Sequence, residues 1–259
     1  YIGHLPEIGS MALTGIGIVF PLTTLIGAFI QLYSSGATPL FSMARGEGND
    51  EKANRILSQC TLLIVITSIL LMILCYIFKK PILYAFGASD KSYYYANLYL
   101  NIYLLGTFFS MFSTGLNGMI NAQGYPKIGM YTILIGALLN IILDPIFIFL
   151  LHMGIQGAAF ATVVSQFISF LWVLRFFMDS NKTYRIQRKY LKPQWFYIKK
   201  ILSLGLSGFI VMATNCSVQI ICNQTLTLYG GDLYVGIMTI INSVREILSV
   251  PVQALGSGC

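Results

Sequence analysis

Residues 128–151 read IGMYTILIGALLNIILDPIFIFLL, and this run decides the fold. Its 24 residues are long enough to cross the apolar core of a bilayer as a helix, and Asp144 is their only formal charge. A carboxylate is costly to place inside such a segment, and in membrane proteins it usually faces a cavity or a partner where ions or protons move. The run therefore predicts a transmembrane helix that carries a candidate functional acid.

The composition of the whole chain also indicates a membrane protein. Charged residues make up 10% of the 259 residues, against about 25% in soluble domains, and apolar residues make up 56%. Counted in spans of about 20 apolar residues, the sequence predicts seven transmembrane helices. They cover 13–43, 56–78, 93–119, 128–151, 155–177, 201–229 and 233 to the end. Because these segments are long and do not alternate as barrel strands do, we expect an all-α polytopic membrane protein.

Basic residues are concentrated in the loops on one side of the predicted bundle. Twelve Lys and Arg residues follow the first, third and fifth spans, and three lie in the loops of the other side. Since basic residues collect in cytoplasmic loops, these loops are predicted to face the cytoplasm and residues 1–10 the outside. The net charge of +7 is then explained by topology and by contact with anionic membrane lipids, and nucleic-acid binding is not expected.

A weak internal repeat relates the first and last spans. The run IQLYSSG at 30–36 recurs as VQALGSG at 252–258, with three identical residues at a shift of 222. Such a shift is typical of parallel six-helix repeats related by an axis along the membrane normal. We expect a first lobe at 1–178, a basic cytoplasmic linker at 179–198 and the start of a second lobe at 199–259. The chain is accordingly interpreted as an internal piece of a longer protein.

The predicted linker alternates basic residues with aromatic ones. Its aromatic members are Tyr184, Tyr190, Trp195, Phe196 and Tyr197. Trp and Tyr favour the membrane interface, and Lys and Arg pair with lipid phosphates. We therefore expect a connector that lies at the level of the lipid headgroups.

Cysteine and histidine usage gives no support to a metal centre or an enzyme. The five cysteines lie within or at the ends of apolar spans, without disulfide or zinc spacing, and are interpreted as packing residues. The sequence contains no phosphate-binding loop, nucleophile elbow or paired-carboxylate arrangement. We expect a protein that is not an enzyme and needs no cofactor apart from an ion.

Polar groups cluster around Asp144 in the fourth predicted span. Asn140 lies one helical turn earlier on the same face. Pro145 lacks the N–H that would bond to the carbonyl of Ile141, which predicts a kink and a hinge. The next helix runs back after a short turn and places Thr162 at the depth of Asp144, within roughly 3 Å along the axis.

A row of small residues on the returning helix would let the two backbones approach closely. Its members are Gly157, Ala161, Ser165 and Ser169. Asp144, Asn140 and Thr162 would then offer oxygen ligands suited to a hard cation such as Na+. They equally suit a carboxyl that takes up and releases a proton. The alternative is an aspartate that only ties two helices together.

Glu246 is the second candidate acid, and it lies beside Arg245 in the seventh predicted span. Thr24 holds the equivalent position in the first repeat. With Phe20 and Gln31, the two charged residues are candidates to line a cavity that attracts cationic substrates. The alternative is an Arg and Glu pair that satisfies partners within the bundle, since buried charges are normally paired.

Four runs of the sequence resemble a known family in both order and spacing. They are RGEGNDEKA at 45–53, NAQGYPK at 121–127, NIILDPIFIF at 140–149 and GIQGAAFATVVSQ at 154–166. The family is that of the multidrug and toxin extrusion (MATE) transporters, and the resemblance is to its MepA-like bacterial branch. It implies a MATE-like helical bundle with two six-helix lobes around a central cavity, of which this chain would hold helices two to eight of twelve.

The resemblance also implies an activity. Members of this family are secondary antiporters of the cytoplasmic membrane that export lipophilic or cationic compounds as H+ or Na+ enters, and a monomer is expected. Asn140, Asp144 and Thr162 match the family's first-lobe cation site, and Glu246 resembles an acid of the eighth helix. The alternatives are a flippase for lipid-linked saccharides from the same superfamily and a membrane scaffold or receptor that transports nothing.

Overall fold

The protein is almost entirely helical in a computed structural model. The structure describes the backbone of residues 2–4 and 9–258 and the side chains of residues 2–3 and 9–249. The α-helices in chain order are α1 Gly9–Gly46, α2 Asp50–Ile77, α3 Lys79–Ala85, α4 Asp90–Ala122, α5 Pro126–Pro145, α6 Gly154–Met178 and α7 Trp195–Gly258. A π-helical turn at Ile146–Leu150 follows α5. No strand occurs in this described part, which confirms the all-α prediction. The second copy of the sequence repeat, at 252–258, lies outside the described side chains.

Local capping signals set several of the helix ends. The side chain of Asn49 accepts a hydrogen bond from the backbone N–H of Lys52 at the start of α2 (2.9 Å). Ser89 and Ser92 form a reciprocal capping box at the start of α4. Pro126 occupies the first turn of α5, where its missing N–H costs nothing. These caps satisfy backbone donors that the first turn of a helix leaves free.

The long helix α7 reverses its direction at Gly231. This residue has φ 69° and ψ −171°, a conformation that favours glycine. Beyond it the chain runs back, so that Gln219 of the first arm (195–230) lines a small cavity together with Asn242 of the second arm (231–258). α7 is therefore a hairpin that supplies both the sixth and the seventh predicted spans.

Five elements are long and apolar enough to cross a bilayer, judged by length and composition. They are α1, α2, α5 with its π-helical turn, α6 and α7, and the hairpin in α7 accounts for two of the predicted spans. The third predicted span is α4, whose 33 residues are long enough but include many Tyr, Ser, Asn and Gly residues. Because α4 packs against α1, α2, α5 and α6, much of this polar surface faces other helices and not lipid.

Glycines bring α1 and the first arm of α7 into backbone contact. The two helices run antiparallel, since Gly36 lies against Ile201 and Leu32 against Gly205. A methyl group on Gly36 would overlap the carbonyl oxygen of Ile201, and one on Gly205 would overlap the carbonyl oxygen of Leu32. Small residues at a helix crossing permit this approach in membrane bundles. The crossing holds the hairpin of α7 against the rest of the protein.

The second arm of α7 crosses α1 in the same direction at positions related by the sequence repeat. A methyl group on Gly17 would lie 3.3 Å from Cβ of Thr239, and one on Gly236 would lie 3.0 Å from Oγ1 of Thr14. Both pairs are separated by the shift of 222 residues that the repeat predicts. The two helices thus meet at equivalent points, which supports the predicted parallel repeats.

The segment 179–194 docks on α2 through the buried amide of Gln59. The side chain of Gln59 is 0% exposed. Its Nε2 donates to the carbonyl oxygens of Tyr190 (2.6 Å) and Lys192 (2.8 Å), and its Oε1 accepts from the backbone N–H of Gln194 (2.9 Å). The side-chain amide of Gln59 therefore supplies the hydrogen-bond partner that three peptide groups of this segment would otherwise find in another stretch of backbone.

Asn54 extends the same attachment one turn earlier on α2. Its Nδ2 donates to the carbonyl of Thr183 (3.0 Å), and its Oδ1 accepts from the N–H of Arg185 (3.0 Å). The hydroxyl of Tyr184 donates to the carboxylate of Asp50 (2.6 Å), and this hydrogen bond raises the pKa of the Tyr184 phenol. Polar groups on the first turns of α2 thus form hydrogen bonds with this segment.

The headgroup level of this linker stays a prediction, but in its first part the aromatic rings face the protein and not outward. The ring of Tyr184 packs edge-on against Phe41 at 5.3 Å, and Tyr190 is only 7% exposed. These aromatic rings face the protein because buried polar groups of α2 must find hydrogen-bond partners. Only Trp195 and Phe196, at 73% and 62% exposed, have the outward placement expected from the sequence.

Replacing Gln59 with Leu is expected to release the segment 179–194 from α2. Two carbonyls and one N–H would lose their partner, at a cost of about 1–3 kcal/mol for a buried group. Limited trypsin digestion of the full-length protein should then cleave faster after Arg188 and Lys189. Thr61→Val is the matched control, since the Thr61 hydroxyl bonds only to Leu57 of its own helix. Equal cleavage rates in the two variants would show that Gln59 does not hold the segment.

Candidate functional site

Asn140 joins Asp144 to the returning helix. Its Nδ2 donates to Oδ1 of Asp144 (3.4 Å) and to Oγ1 of Thr162 (3.3 Å). All three side chains are half-buried. The proximity expected from their helical spacing is therefore observed, with the amide of Asn140 lying between the acid and the hydroxyl.

Close packing of α5 against α6 creates this proximity. The small residues predicted to line the contact are all buried on α6: Gly157, Ala161, Ser165 and Ser169. The hydroxyl of Ser169 donates to the carbonyl of Thr132 on α5 (3.2 Å). At the other end, a methyl group on Gly157 would lie 2.7 Å from the carbonyl carbon of Phe147. Larger side chains in this row would move Thr162 away from the acid.

Tyr99 of α4 is a member of the site that the sequence did not indicate. Its hydroxyl lies near the hydroxyl of Thr162 and near the carboxylate of Asp144. The ring of Tyr99 stacks on that of Tyr103, with centroids 5.7 Å apart, and Tyr103 interacts with Gln166. No local motif marks Tyr99, since it comes from a helix well before the acid in the chain, and only the packing of α4 on α6 reveals it.

The backbone stays helical through Pro145, and the kink expected there stays a prediction. Asp144 and Pro145 remain within α5, and Pro145 has helical dihedrals of φ −63° and ψ −31°. The helix then widens into the π-helical turn Ile146–Leu150. Such π-helical turns accompany irregularities in the backbone hydrogen-bond ladder and recur at functional sites. The hinge role of Pro145 remains a prediction.

A polar cavity of about 420 Å³ adjoins the site between α4, α5 and α6. Its lining includes Asn140 and Thr162 of the site together with the amides of Asn117 and Gln166. Within the described residues, Oδ1 of Asn117 and Oε1 of Gln166 have no hydrogen-bond partner. Since buried polar atoms are normally satisfied, this cavity suits water or an ion next to the acid.

Arg245 and Glu246 line a separate cavity of about 450 Å³ between α1 and the two arms of α7. Neither side chain forms an ion pair with any residue in the described part of the chain. Thr24, the equivalent of Glu246 in the repeat, lines the same cavity and donates to Gln219 (3.0 Å). The alternative, in which Arg245 and Glu246 satisfy partners within the bundle, finds no ion pair among the described residues and stays a prediction.

The two uncharged cavity candidates have different positions. Phe20 lines a cavity of about 60 Å³ that also touches Arg245, so it lies close to the charged pair. Gln31 lies beside Gly208 at the crossing of α1 and α7, where its Cγ would be 2.9 Å from a methyl group on that glycine. Gln31 thus belongs to the helix contact and not to the lining of either charged cavity.

Transition-metal chemistry has no support in the described residues. They contain no cluster of three or more His, Cys, Asp or Glu side chains that could hold a metal ion. Asp144 accepts from the amide of Asn140, which also reaches the hydroxyl of Thr162, and these oxygen-bearing groups suit a proton or a hard monovalent cation.

The sequence and the fold were compared with known proteins. The multidrug export protein MepA of Staphylococcus haemolyticus (strain JCSC1435) is 27% identical over 230 residues, which cover 89% of this chain and 50% of that protein. The solved structure of the MATE multidrug transporter DinF-BH is 30% identical, with a TM-score of 0.86 over 93% of this chain and 53% of that chain.

A second solved structure supports the fold alone. It is an inward-facing multidrug resistance MATE family transporter of the MOP superfamily, with 24% identity and a TM-score of 0.88 over 94% of this chain and 56% of that chain. The chain spans about half the length of the curated relatives it matches. These relatives support the predicted multi-pass location in a bacterial plasma membrane.

A family profile gives the broadest assignment. The profile of the MatE family matches residues 1–146, which is more than half of the chain. Three of the four runs that carried the sequence resemblance lie wholly or mostly within this range. On this match, the chain belongs to the MatE family.

Proposed function

We propose that this chain is part of a secondary antiporter that exports lipophilic or cationic compounds as H+ or Na+ enters, with Asp144 as the coupling acid. The observation that carries the proposal is the bridge from Asn140 to both Asp144 and Thr162. An acid that is half-buried in a membrane-spanning helix, without a cationic partner in the described residues, can change its charge during a cycle. Acids in such places usually serve ion or proton movement.

The arrangement of Asn140 bears on the coupling ion. Its amide nitrogen faces both Asp144 and Thr162, so Na+ binding would require the amide to turn its oxygen inward. The Thr162 hydroxyl already donates to the carbonyl of Ala158 (2.9 Å), which leaves its oxygen free to accept. A proton on Asp144 needs no comparable change. The site thus accommodates a proton with the amide as it stands and Na+ after the amide has turned, and both ions remain in the proposal.

The cavity at Arg245 and Glu246 is the proposed place for substrate contact. Both charges are unpaired among the described residues, and the cavity is of a size that binds small ligands, roughly 300–1,000 Å³. Glu246 would attract a cation, and Phe20 nearby offers an apolar surface. The proposed export of lipophilic cations matches this combination. A flippase for lipid-linked saccharides would be favoured by several basic residues, and Arg245 is the only one that lines this cavity among the described residues.

Reconstitution of the full-length protein into liposomes tests the proposal. We expect a fluorescent cationic drug to move against its gradient when a proton or sodium gradient is imposed, and separate gradients identify the ion. The protein would act as a monomer and not as an enzyme. Absence of flux under both gradients, with correctly inserted protein, would favour the scaffold alternative.

Thr162 and Ser165 form a matched pair for testing the site. Each hydroxyl donates to the carbonyl four residues earlier on α6, but only Thr162 also accepts from Asn140. We expect Thr162→Val to weaken the apparent affinity for the coupling ion about tenfold, the scale of one hydrogen bond. Ser165→Ala should change it less than about threefold, because no bond to the acid's partners is lost. Ion dependence of drug efflux provides the measurement, and equal effects in the two variants would contradict the assignment.

A further inference from the structure

A cavity of about 640 Å³ lies at the end of the protein that carries the basic loops, between the start of α5 and the end of α6. Arg175 and Lys182 contribute its positive charges, and Asp179 contributes a negative one. Trp172 and Phe176 supply apolar walls. The cavity is separate from the coupling site and from the cavity at Glu246.

The two cations in this cavity are held without anionic partners. Arg175 has no ion pair to any described residue. The ammonium of Lys182 lies 3.7 Å from the ring centre of Tyr125 and 5.0 Å from that of Phe176, so aromatic faces position it. The carboxylate of Asp179 is engaged by the backbone N–H of Asn181 (3.0 Å). Both cations therefore remain able to bind an anion.

The charge and surroundings of the cavity fit one class of ligand. Its two cations and single acid leave one positive charge in excess, which a single phosphodiester neutralises. Met178 is 68% exposed at the rim, and Trp172 is a residue type enriched where membrane meets water. A ligand here would thus have a phosphate close to acyl chains. Basic pockets between transmembrane helices on the cytoplasmic side bind lipid headgroups in this way.

We infer that this cavity binds the phosphodiester headgroup of a phospholipid from the cytoplasmic leaflet, with Arg175 and Lys182 on the phosphate. The aromatic contacts of Lys182 hold its ammonium group in position before a lipid binds. Because Asp179 begins the segment that docks on α2, the bound headgroup would lie beside the point where the chain leaves α6. This inference concerns lipid binding and does not depend on the proposed transport activity.

The test is titration of the detergent-solubilised full-length protein with phosphatidylglycerol, with bound lipids counted by native mass spectrometry. Arg175→Gln with Lys182→Gln should weaken the tightest binding about 25-fold, at roughly fivefold for each basic residue. Lys199→Gln with Lys200→Gln is the control, since it removes two exposed charges from the same side of the protein. Arg175→Lys keeps the charge and should retain most of the binding.

Two outcomes would overturn the inference. Equal loss in the Arg175 and Lys182 variant and in the control would show diffuse attraction of lipid to basic loops. Displacement of the lipid by an equal concentration of glycerol phosphate would show a site for soluble phosphates, with no contribution from the apolar wall. Specific loss in the first variant, without such displacement, supports the lipid site.

Discussion

Asp144→Asn in the full-length protein is expected to abolish ion-driven drug efflux. The substitution keeps the size of the side chain and its ability to accept from Asn140, but removes the charge that changes when a proton or Na+ arrives. Without that change, ion binding cannot favour one conformation over another. Efflux in proteoliposomes should fall to the rate of protein-free vesicles, while the amount of inserted protein stays the same.

Asp90→Asn is the matched control for this experiment. Asp90 is exposed at the start of α4 and accepts from the hydroxyl of Tyr84 (2.8 Å), away from the coupling site. Its loss of charge should leave efflux unchanged within about twofold, as expected for a surface contact. Undiminished efflux by the Asp144→Asn protein would refute the coupling role and leave Asp144 as a residue that ties α5 to α6.

The second large effect is expected at the crossing of α1 and α7. Gly205→Ala would place a methyl group on the carbonyl oxygen of Leu32, and backbone cannot move aside as a flexible side chain can. The two helices would have to separate, at a cost of about 1–3 kcal/mol or more for overpacking. The free energy of unfolding of the full-length protein in mixed micelles measures this loss.

Gly27 offers the control for this prediction, since it lies in α1 and an added methyl group would have no neighbouring atom within 4 Å. Gly27→Ala should be neutral or stabilise the protein by roughly 0.5–1 kcal/mol, because alanine favours the helix interior. If both alanine variants had the same unfolding free energy, the crossing would be looser than described. A larger loss for Gly205→Ala would establish the backbone contact.

Hydropathy and spacing predicted much of this structure. Long apolar runs indicate helices in any membrane protein, because lipid offers the backbone no other hydrogen-bond partners. The approach of Thr162 to Asp144 followed from the length of the turn between two antiparallel helices. Both are local properties of the sequence, or depend on one short connection.

Features that depend on distant packing were not predicted. Tyr99 reaches Thr162 only because α4 lies against α6, and no spacing rule connects them. The attachment of 179–194 to α2 was missed although Asn54 and Gln59 gave a signal. Two amides near the start of an apolar helix indicate a polar partner, but the sequence does not say which segment provides it.

The local form of the backbone after Pro145 could not be predicted from the proline alone. Pro145 does remove a hydrogen-bond donor, but a helix can respond by opening, kinking or widening. The structure shows widening, into the turn at Ile146–Leu150. Which response occurs depends on how neighbouring helices hold the two ends, and this information is absent from the proline itself.

The meeting of α1 with the second arm of α7 has a consequence for how two related halves share one chain. In a dimer of identical subunits, a residue on the symmetry axis must face its own copy, so threonine would meet threonine and glycine would meet glycine. Here Gly17 of the first half faces Thr239 of the second half. At the other contact the threonine, Thr14, belongs to the first half and the glycine, Gly236, to the second. When both halves belong to one polypeptide, equivalent positions can carry different residues. A glycine of one half can then pack against a threonine of the other half, and this happens at two points along the same axis.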